Sequence, residues 1–217
     1  FAAGLRGLGV ARGDHVGLIS ENRAEWFVTD LAIMSIGAID VPRGNDTTPQ
    51  ELAFILGFAD VRTVVVENRS QLEKLLSVAE ELTQTARVIV LEDLPEEGVP
   101  HPPSLSLTDY GAVVADGRVR LEENPDQIRT ERSQGDGTDT ATIIFTSGTT
   151  GEPKGVMLSH ENFLHQVQNV PLLIHVGADD IWLCVLPVWH SFERIMQYVA
   201  MGRGSALAYS KPIGKIM

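Results

Sequence analysis

Apolar runs of strand length alternate with segments of helical periodicity through the first half of the chain. The apolar runs predict strands over 15–20, 38–41, 62–67 and 86–92. The periodic segments predict helices over 23–36, 49–59 and 71–82, after a short helix that ends near Gly9. Parallel strands need long crossover connections of this kind. The alternation therefore predicts an α/β fold, a layered parallel-type sheet with helices on both faces.

End signals support two of these helices. Thr48 and Glu51 form a capping-box pattern around Pro49, which is typical of a helix start. Asn22 is predicted to cap the helix over 23–36. Four apolar residues at helical spacing in that helix are predicted to be core: Trp26, Phe27, Leu31 and Met34. We therefore assign no functional role to the polar residues beside them, Glu21 to Arg23.

The regular alternation is interrupted between the two halves of the chain. Residues 93–103 are rich in proline and acidic residues, which predicts a surface loop. Residues 122–140 are polar and glycine-containing, and we expect them to be mobile without a ligand. A short helix is predicted between these stretches, over 107–117. The chain contains no repeat of fixed length and no low-complexity tract.

The run FTSGTTGEPKG, Phe145 to Gly155, has the composition of a phosphate-binding loop. Short β-branched runs flank it at 141–145 and 155–159, so we predict that it joins two strands as a hairpin. Small residues let backbone N–H groups approach an anion, and hydroxyls add donors. The residues predicted to bind phosphate are Thr146, Ser147, Gly148, Thr149, Thr150 and Gly151. The simpler alternative is an ordinary turn.

Lys154 adds a full positive charge at the end of this loop, and Pro153 stiffens the turn before it. The spacing excludes the phosphate loop of P-loop NTPases. That motif has Gly-x-x-x-x-Gly-Lys followed by Ser or Thr and a helix, whereas Lys154 precedes Gly155 and a strand-like run.

A second candidate site follows the predicted strand over 181–186. His190 lies between that strand and a predicted helix over 192–201. A lone histidine at a strand end is more often structural. Glu193 and Arg194 are interpreted as solvated residues at a helix start, with no catalytic role.

The whole run from Phe145 to Gly155 resembles the phosphate-binding signature of adenylate-forming enzymes, which include acyl-CoA synthetases, luciferases and peptide synthetase adenylation domains. Leu186, Pro187 and His190 match a second signature of that superfamily, Leu-Pro-x-x-His. The continuation Ser-Phe-Glu-Arg after His190 is similar to the long-chain fatty acyl-CoA synthetase branch. The amino-terminal sequence around Glu-Asn-Arg-x-Glu-Trp, residues 21–26, is also similar to that of acyl-CoA synthetases.

The resemblance implies ATP-dependent activation of a fatty acid in two steps, with ATP, Mg²⁺ and coenzyme A as cofactor or co-substrates. It implies that Lys154 and His190 are catalytic, with His190 beside the phosphates and the acyl carboxylate. It also implies that Thr146 helps to ligate magnesium. Other branches stay open: an aryl-CoA ligase, a fatty acyl-AMP ligase or a peptide synthetase domain. A non-catalytic nucleotide-binding module is a third alternative.

Composition limits the remaining classes. The chain has 217 residues, 43% of them hydrophobic, and a net charge of −12, which argues against nucleic-acid binding and strong binding to anionic lipid. No apolar run of membrane-spanning length and no secretory signal at Phe1 are present. The single cysteine, Cys184, is predicted to be core and fits a cytoplasmic setting. His160 and His165 lack zinc-ligand spacing. Peripheral membrane contact and oligomeric state stay open.

Later signatures of the resembling enzymes are absent: a Tyr-Gly-x-Thr-Glu segment, a Thr-Gly-Asp segment and the lysine of a carboxy-terminal domain. We therefore expect residues 1–217 to be an incomplete N-terminal AMP-binding domain and an inactive fragment. Its expected parts are a first α/β portion over 1–92, an irregular surface segment over 93–140, and the phosphate loop with a second α/β portion over 141–217.

Overall fold

A computed structural model describes residues 1–95, 98–146 and 153–210 of the chain. The strands are β1 (His15–Ile19), β2 (Ile39–Arg43), β3 (Thr63–Val66), β4 (Arg87–Val90), β5 (Ser106–Asp109), β6 (Thr140–Thr146), β7 (Lys154–Ser159), β8 (Ile181–Cys184) and β9 (Ala206–Tyr209). The helices are α1 (Ala2–Gly7), α2 (Ala24–Ser35), α3 (Pro49–Phe58), α4 (Arg69–Leu76), α5 (Tyr110–Glu123), α6 (Gln127–Ser133), α7 (His160–Asn169) and α8 (Ser191–Gly202).

Seven strands form one sheet in the order β5-β4-β3-β1-β2-β6-β7. Every pairing in it is parallel except β6 with β7, which form an antiparallel hairpin. Strands β8 and β9 form a separate parallel pair. The parallel pairings require crossovers, and helices α2 to α5 lie in the connections between successive strands of the sheet.

The core lies on both faces of this sheet, because successive residues of a strand point to opposite faces. Val64 and Val66 of β3 belong to one apolar cluster with residues of α3 and α4. Val65, between them, belongs to a second cluster with Trp26 of α2 and Tyr198 of α8. The predicted α/β fold with helices on both faces is confirmed.

The capping box at the start of α3 is also confirmed. The Thr48 hydroxyl accepts a hydrogen bond from the backbone N–H of Glu51 at 3.3 Å, and the Glu51 carboxylate accepts one from the backbone N–H of Thr48 at 3.0 Å. The reciprocal pair satisfies two N–H groups that a helix start leaves free.

The stretch 93–140 differs most from expectation. The sequence predicts an irregular surface segment with a short helix over 107–117, whereas the structure contains β5, α5 and α6. Strand β5 pairs with β4 at the edge of the sheet, with Leu107 opposite Val88. Its sequence, Ser-Leu-Thr-Asp, has a single apolar residue, so no apolar run announces it. Asp109 then caps α5 by accepting from the N–H of Ala112 at 2.7 Å.

Two further elements carry no prediction from sequence, α7 and β9. Helix α7 begins with a second capping box, formed by Ser159 and Asn162. Helix α4 ends at Leu76, earlier than the predicted end at residue 82. Within the described ranges, no helix combines the length and the apolar character needed to cross a bilayer.

Candidate functional site

The β6–β7 hairpin places two of the predicted phosphate-binding residues opposite each other. Thr146 at the end of β6 pairs with Lys154 at the start of β7, and both are exposed. The predicted binding residues Ser147, Gly148, Thr149, Thr150 and Gly151 lie outside the described residues. The hairpin prediction is correct, and Thr146 and Lys154 flank the predicted loop.

The end of this hairpin that carries Thr146 and Lys154 lies at the carboxyl ends of the parallel strands. Strands β2 and β6 run parallel, so Arg43 and Thr146, their last residues, come to the same edge. In open α/β sheets, ligands bind beyond the carboxyl ends of the strands. The predicted phosphate loop therefore begins at the edge where this class of fold builds its sites.

Arg43 connects the hairpin to the segment that contains His190. Its Nη1 donates to the carbonyl oxygen of Phe145 at 3.0 Å. Its guanidinium carbon lies 5.7 Å from the centre of the Trp189 ring, within the range of a cation–π contact. Gly44 leaves room for that ring, because a Cβ atom there would lie 2.3 Å from Trp189 Nε1. Arg43 belongs to no sequence motif, and its only sequence signal is a charged residue at the carboxyl end of a strand.

His190 is the residue just before α8, and its ring is exposed. The imidazole lies 4.7 Å from the Trp189 ring, centre to centre. Its backbone N–H bonds to the carbonyl of Pro187 at 3.0 Å, which closes a turn. Through Trp189 and Arg43, the structure connects His190 to the base of the hairpin and leaves its ring open to a ligand.

Asn22 does not cap α2, contrary to the prediction. The residue at the cap position is Arg23, without a capping side-chain bond. The Asn22 amide instead crosses to the segment before His190, where Nδ2 donates to the carbonyl of Leu186 at 2.7 Å and Oδ1 accepts from the N–H of Val188 at 2.9 Å. The Asn22 side chain does not bond to the nearby N–H groups of α2, because it bonds to backbone groups far along the chain.

The interpretation of Glu193 as a solvated residue is wrong. Its side chain is buried, and its carboxylate accepts from the backbone N–H of Leu186 at 3.3 Å and from Trp182 Nε1 at 3.2 Å. Gln197, one turn later on α8, also donates to it, at 3.4 Å. Glu193 thus ties the start of α8 to β8 and to the segment that follows β8.

Arg194 is likewise buried, with no exposed surface, and the prediction that it is solvated is also wrong. Its guanidinium forms ion pairs with Asp30 of α2 and Asp40 of β2, the second at 2.7 Å. It also donates to the hydroxyls of Thr142 at 2.9 Å and Tyr198 at 2.8 Å. Arg194 therefore anchors α8 to a helix and two strands of the sheet.

Charge in this cluster is unbalanced, because two buried carboxylates share one guanidinium. Burial raises the pKa of Asp30 to about 7, and the attraction of Arg194 only partly offsets it. Burial also raises the pKa of Asp40. Burial lowers the pKa of Arg194, but the two carboxylates outweigh burial and raise it above its ordinary value, so the guanidinium stays charged. The cluster therefore favours retention of a proton by its two carboxyl groups.

We expect this proton to make stability depend on pH. Between the ordinary carboxyl pKa of 3.8 and about 7, folded Asp30 holds a proton that the unfolded chain releases. Its contribution to stability therefore falls as pH rises through this window. Urea unfolding of the wild type and Asp30→Asn from pH 5 to pH 8 should show the wild type losing stability relative to the variant. A difference that is constant with pH would contradict the assignment.

Other candidate chemistry is limited. Within residues 1–95, 98–146 and 153–210, no group of three or more His, Cys, Asp or Glu side chains is placed to hold a metal ion. Cys184 is buried, as predicted, and burial raises the pKa of its thiol to about 12. That thiol stays protonated, so it is a core residue without nucleophilic character.

Comparison with known proteins gives one family over almost the whole chain. The family described as AMP-binding enzyme matches residues 1–215. A chloroplastic long-chain-fatty-acid–[acyl-carrier-protein] ligase of Arabidopsis thaliana is 35% identical, over 97% of this chain and 29% of its own length. The peroxisomal long chain acyl-CoA synthetase 6 of the same plant is 30% identical, over 96% of this chain and 29% of its own length. The chain thus spans about three tenths of the curated relatives that it matches.

Solved structures show the same fold. An anthranilate CoA ligase in complex with anthranoyl-AMP superposes with a TM-score of 0.79 at 24% identity, covering 97% of this chain and 38% of that one. A long-chain-fatty-acid-CoA ligase of Archaeoglobus fulgidus gives a TM-score of 0.70 at 22% identity, covering 99% of this chain and 38% of that one.

Proposed function

Because this chain belongs to the AMP-binding enzyme family, we propose that it is part of a ligase that activates a long-chain fatty acid with ATP. The observation that carries the proposal is the hairpin, in which Thr146 and Lys154 face each other at the carboxyl edge of the parallel sheet. The long-chain acyl ligases among its relatives support the choice of substrate.

In the first proposed step, a carboxylate oxygen of the fatty acid attacks the α-phosphorus of ATP. The bond to the β-phosphate oxygen breaks, and pyrophosphate leaves with the electron pair to give acyl-AMP. Lys154 neutralises charge on the leaving phosphates, and the loop from Thr146 to Gly151 supplies hydroxyl and N–H donors. His190 orients the carboxylate and the α-phosphate at the point of attack.

In the second step, a thiol releases its proton to solvent and its sulfur attacks the acyl carbon. The bond between that carbon and the phosphate oxygen breaks, and AMP leaves with the electron pair as the thioester forms. We propose coenzyme A as the thiol, as the sequence resemblance implies. The carrier-protein ligase at 35% identity supports a second candidate, the thiol of an acyl carrier protein. The described residues carry no thiol-binding feature that separates the two, so the experiment below includes both acceptors.

Magnesium is a further proposal. Thr146 offers an exposed hydroxyl oxygen at the start of the loop, which is the hard donor type that Mg²⁺ prefers, and ATP phosphates supply further oxygens. When bound, the ion neutralises phosphate charge. Thr146 is the described residue that would contribute to holding it. The cytoplasmic setting expected from sequence stays a prediction.

ATP–pyrophosphate exchange by the full-length protein tests the proposal. We expect exchange that depends on palmitate and is absent with benzoate, anthranilate or amino acids. Thioester formation with coenzyme A or with acyl carrier protein then identifies the acceptor. Exchange driven by an aryl acid or an amino acid, or no exchange at all, would overturn the long-chain assignment. We expect residues 1–217 alone to form no acyl-AMP.

A further inference from the structure

We propose that Asn22 is a positioning residue for His190. The inference rests on the proposed function, since it concerns the residue that we assign to the reacting carboxylate and phosphate. Asn22 lies just before α2, and its amide reaches backbone groups more than 160 positions later in the chain. It acts through the backbone that precedes His190.

The Asn22 amide uses both its donor and its acceptor on that backbone. Nδ2 donates to the carbonyls of Leu186 at 2.7 Å and Cys184 at 3.3 Å, and Oδ1 accepts from the N–H of Val188 at 2.9 Å. An amide side chain can donate and accept at once, which a carboxylate or a hydrophobic side chain cannot. These three contacts are to alternate residues, Cys184, Leu186 and Val188. Together they fix the position and the direction of this segment.

These contacts stand directly before the turn that ends at His190. Val188 is two residues upstream, and the N–H of His190 closes the turn on the carbonyl of Pro187 at 3.0 Å. Glu193 also holds this segment, because its carboxylate accepts from the N–H of Leu186 at 3.3 Å. Asn22 ties this segment to the residues that follow β1, and the Arg43–Trp189 contact ties it to β2.

The position of Asn22 is itself fixed, because the side chain of Glu67 is hydrogen-bonded to the loop that contains Asn22. The Glu67 carboxylate follows β3 and accepts from the backbone N–H of Glu21 at 2.6 Å and the hydroxyl of Ser20 at 3.1 Å. It also accepts from the side chain of Asn45, just after β2, at 2.8 Å. Glu67 thus joins the carboxyl ends of β1, β2 and β3. Asn22 extends from these joined ends to the segment before His190.

Asn22→Ala and the isosteric Asn22→Asp in the full-length protein test the role. Asp keeps the acceptor for Val188 but turns an oxygen toward the carbonyls of Leu186 and Cys184. We expect kcat for palmitate-dependent ATP–pyrophosphate exchange to fall about tenfold in both variants, with a much smaller change in KM for ATP, because misplaced catalytic groups slow the chemical step. Wild-type kcat in both variants would refute the proposal.

Asp109→Ala is the matched control. Asp109 also stands before a helix, α5, and accepts from the N–H of Ala112 at 2.7 Å, on the strand at the opposite side of the sheet from the β6–β7 hairpin. We expect Asp109→Ala to lower the melting temperature about as much as Asn22→Ala does and to leave kcat unchanged. An equal loss of kcat in Asp109→Ala would mean that the effect of Asn22 is general destabilisation.

The His190→Ala background separates positioning from other effects. If Asn22 acts through His190, adding Asn22→Ala to His190→Ala should lower kcat less than twofold, whereas a retained tenfold loss would contradict the route. Amide hydrogen exchange of Leu186, Val188, Trp189 and His190 gives a readout that does not depend on activity. We expect faster exchange in Asn22→Ala. Unchanged exchange would refute the proposal that Asn22 holds the segment before His190, even if the proposed ligase activity proved wrong.

Discussion

Replacing Lys154 by Ala in the full-length protein is expected to lower fatty-acid-dependent ATP–pyrophosphate exchange about 100-fold, because loss of one preorganised group that stabilises developing charge costs on that order. Its ammonium is the positive charge that faces Thr146 across the hairpin. The measurement is kcat for exchange at saturating ATP and palmitate.

The melting temperature should stay unchanged, since the Lys154 side chain is exposed. Lys154→Arg is the matched control: it keeps the charge with altered geometry, and we expect it to recover part of the rate. Wild-type exchange in Lys154→Ala would remove Lys154 from the proposed mechanism.

Replacing Arg194 by Met is expected to cause the largest loss of stability, about 3 to 5 kcal/mol, because it leaves two buried carboxylates without their partner. Asp30 and Asp40 have no exposed surface, so water cannot replace the guanidinium without opening the core. Urea unfolding followed by circular dichroism measures the loss.

Two further variants serve as controls for this result. Arg120 forms an exposed ion pair with Asp116 on α5, and Arg120→Ala should leave the unfolding midpoint nearly unchanged. Combining Arg194→Met with Asp30→Asn and Asp40→Asn should recover part of the lost stability, since no charge then remains to be paired. A loss below about 1 kcal/mol in Arg194→Met would contradict the role of the cluster.

Sequence predicted the elements that rest on apolar pattern or on local end signals. Strands β1 to β4 are apolar runs, and their burial on both faces of a parallel sheet makes such runs easy to identify. The capping box of α3 depends on residues three apart, so it too is readable locally. Strand β5 was missed because it lies at the sheet edge, where four residues with one apolar side chain suffice.

For the site, sequence identified the residues that belong to motifs: Thr146, Lys154 and His190. It did not identify the residues that position them. Asn22, Glu193 and Arg194 each stand at a helix start, where capping or solvation is the ordinary outcome. Their actual partners lie in other elements, up to 166 positions away for Asn22. Burial of a polar side chain by such distant partners has no periodic signal.

The pairing of Arg194 also constrains the order of folding during synthesis. Asp30 and Asp40 are made early, yet their cationic partner follows 164 and 154 positions later. Until that residue leaves the ribosome, closing the helical face of the first strands would bury these two carboxyl groups without their cationic partner. We therefore expect the βαβ units that contain Asp30 and Asp40 to complete their packing only after α8 is made. Native contacts of such long range slow folding and lengthen exposure to aggregation.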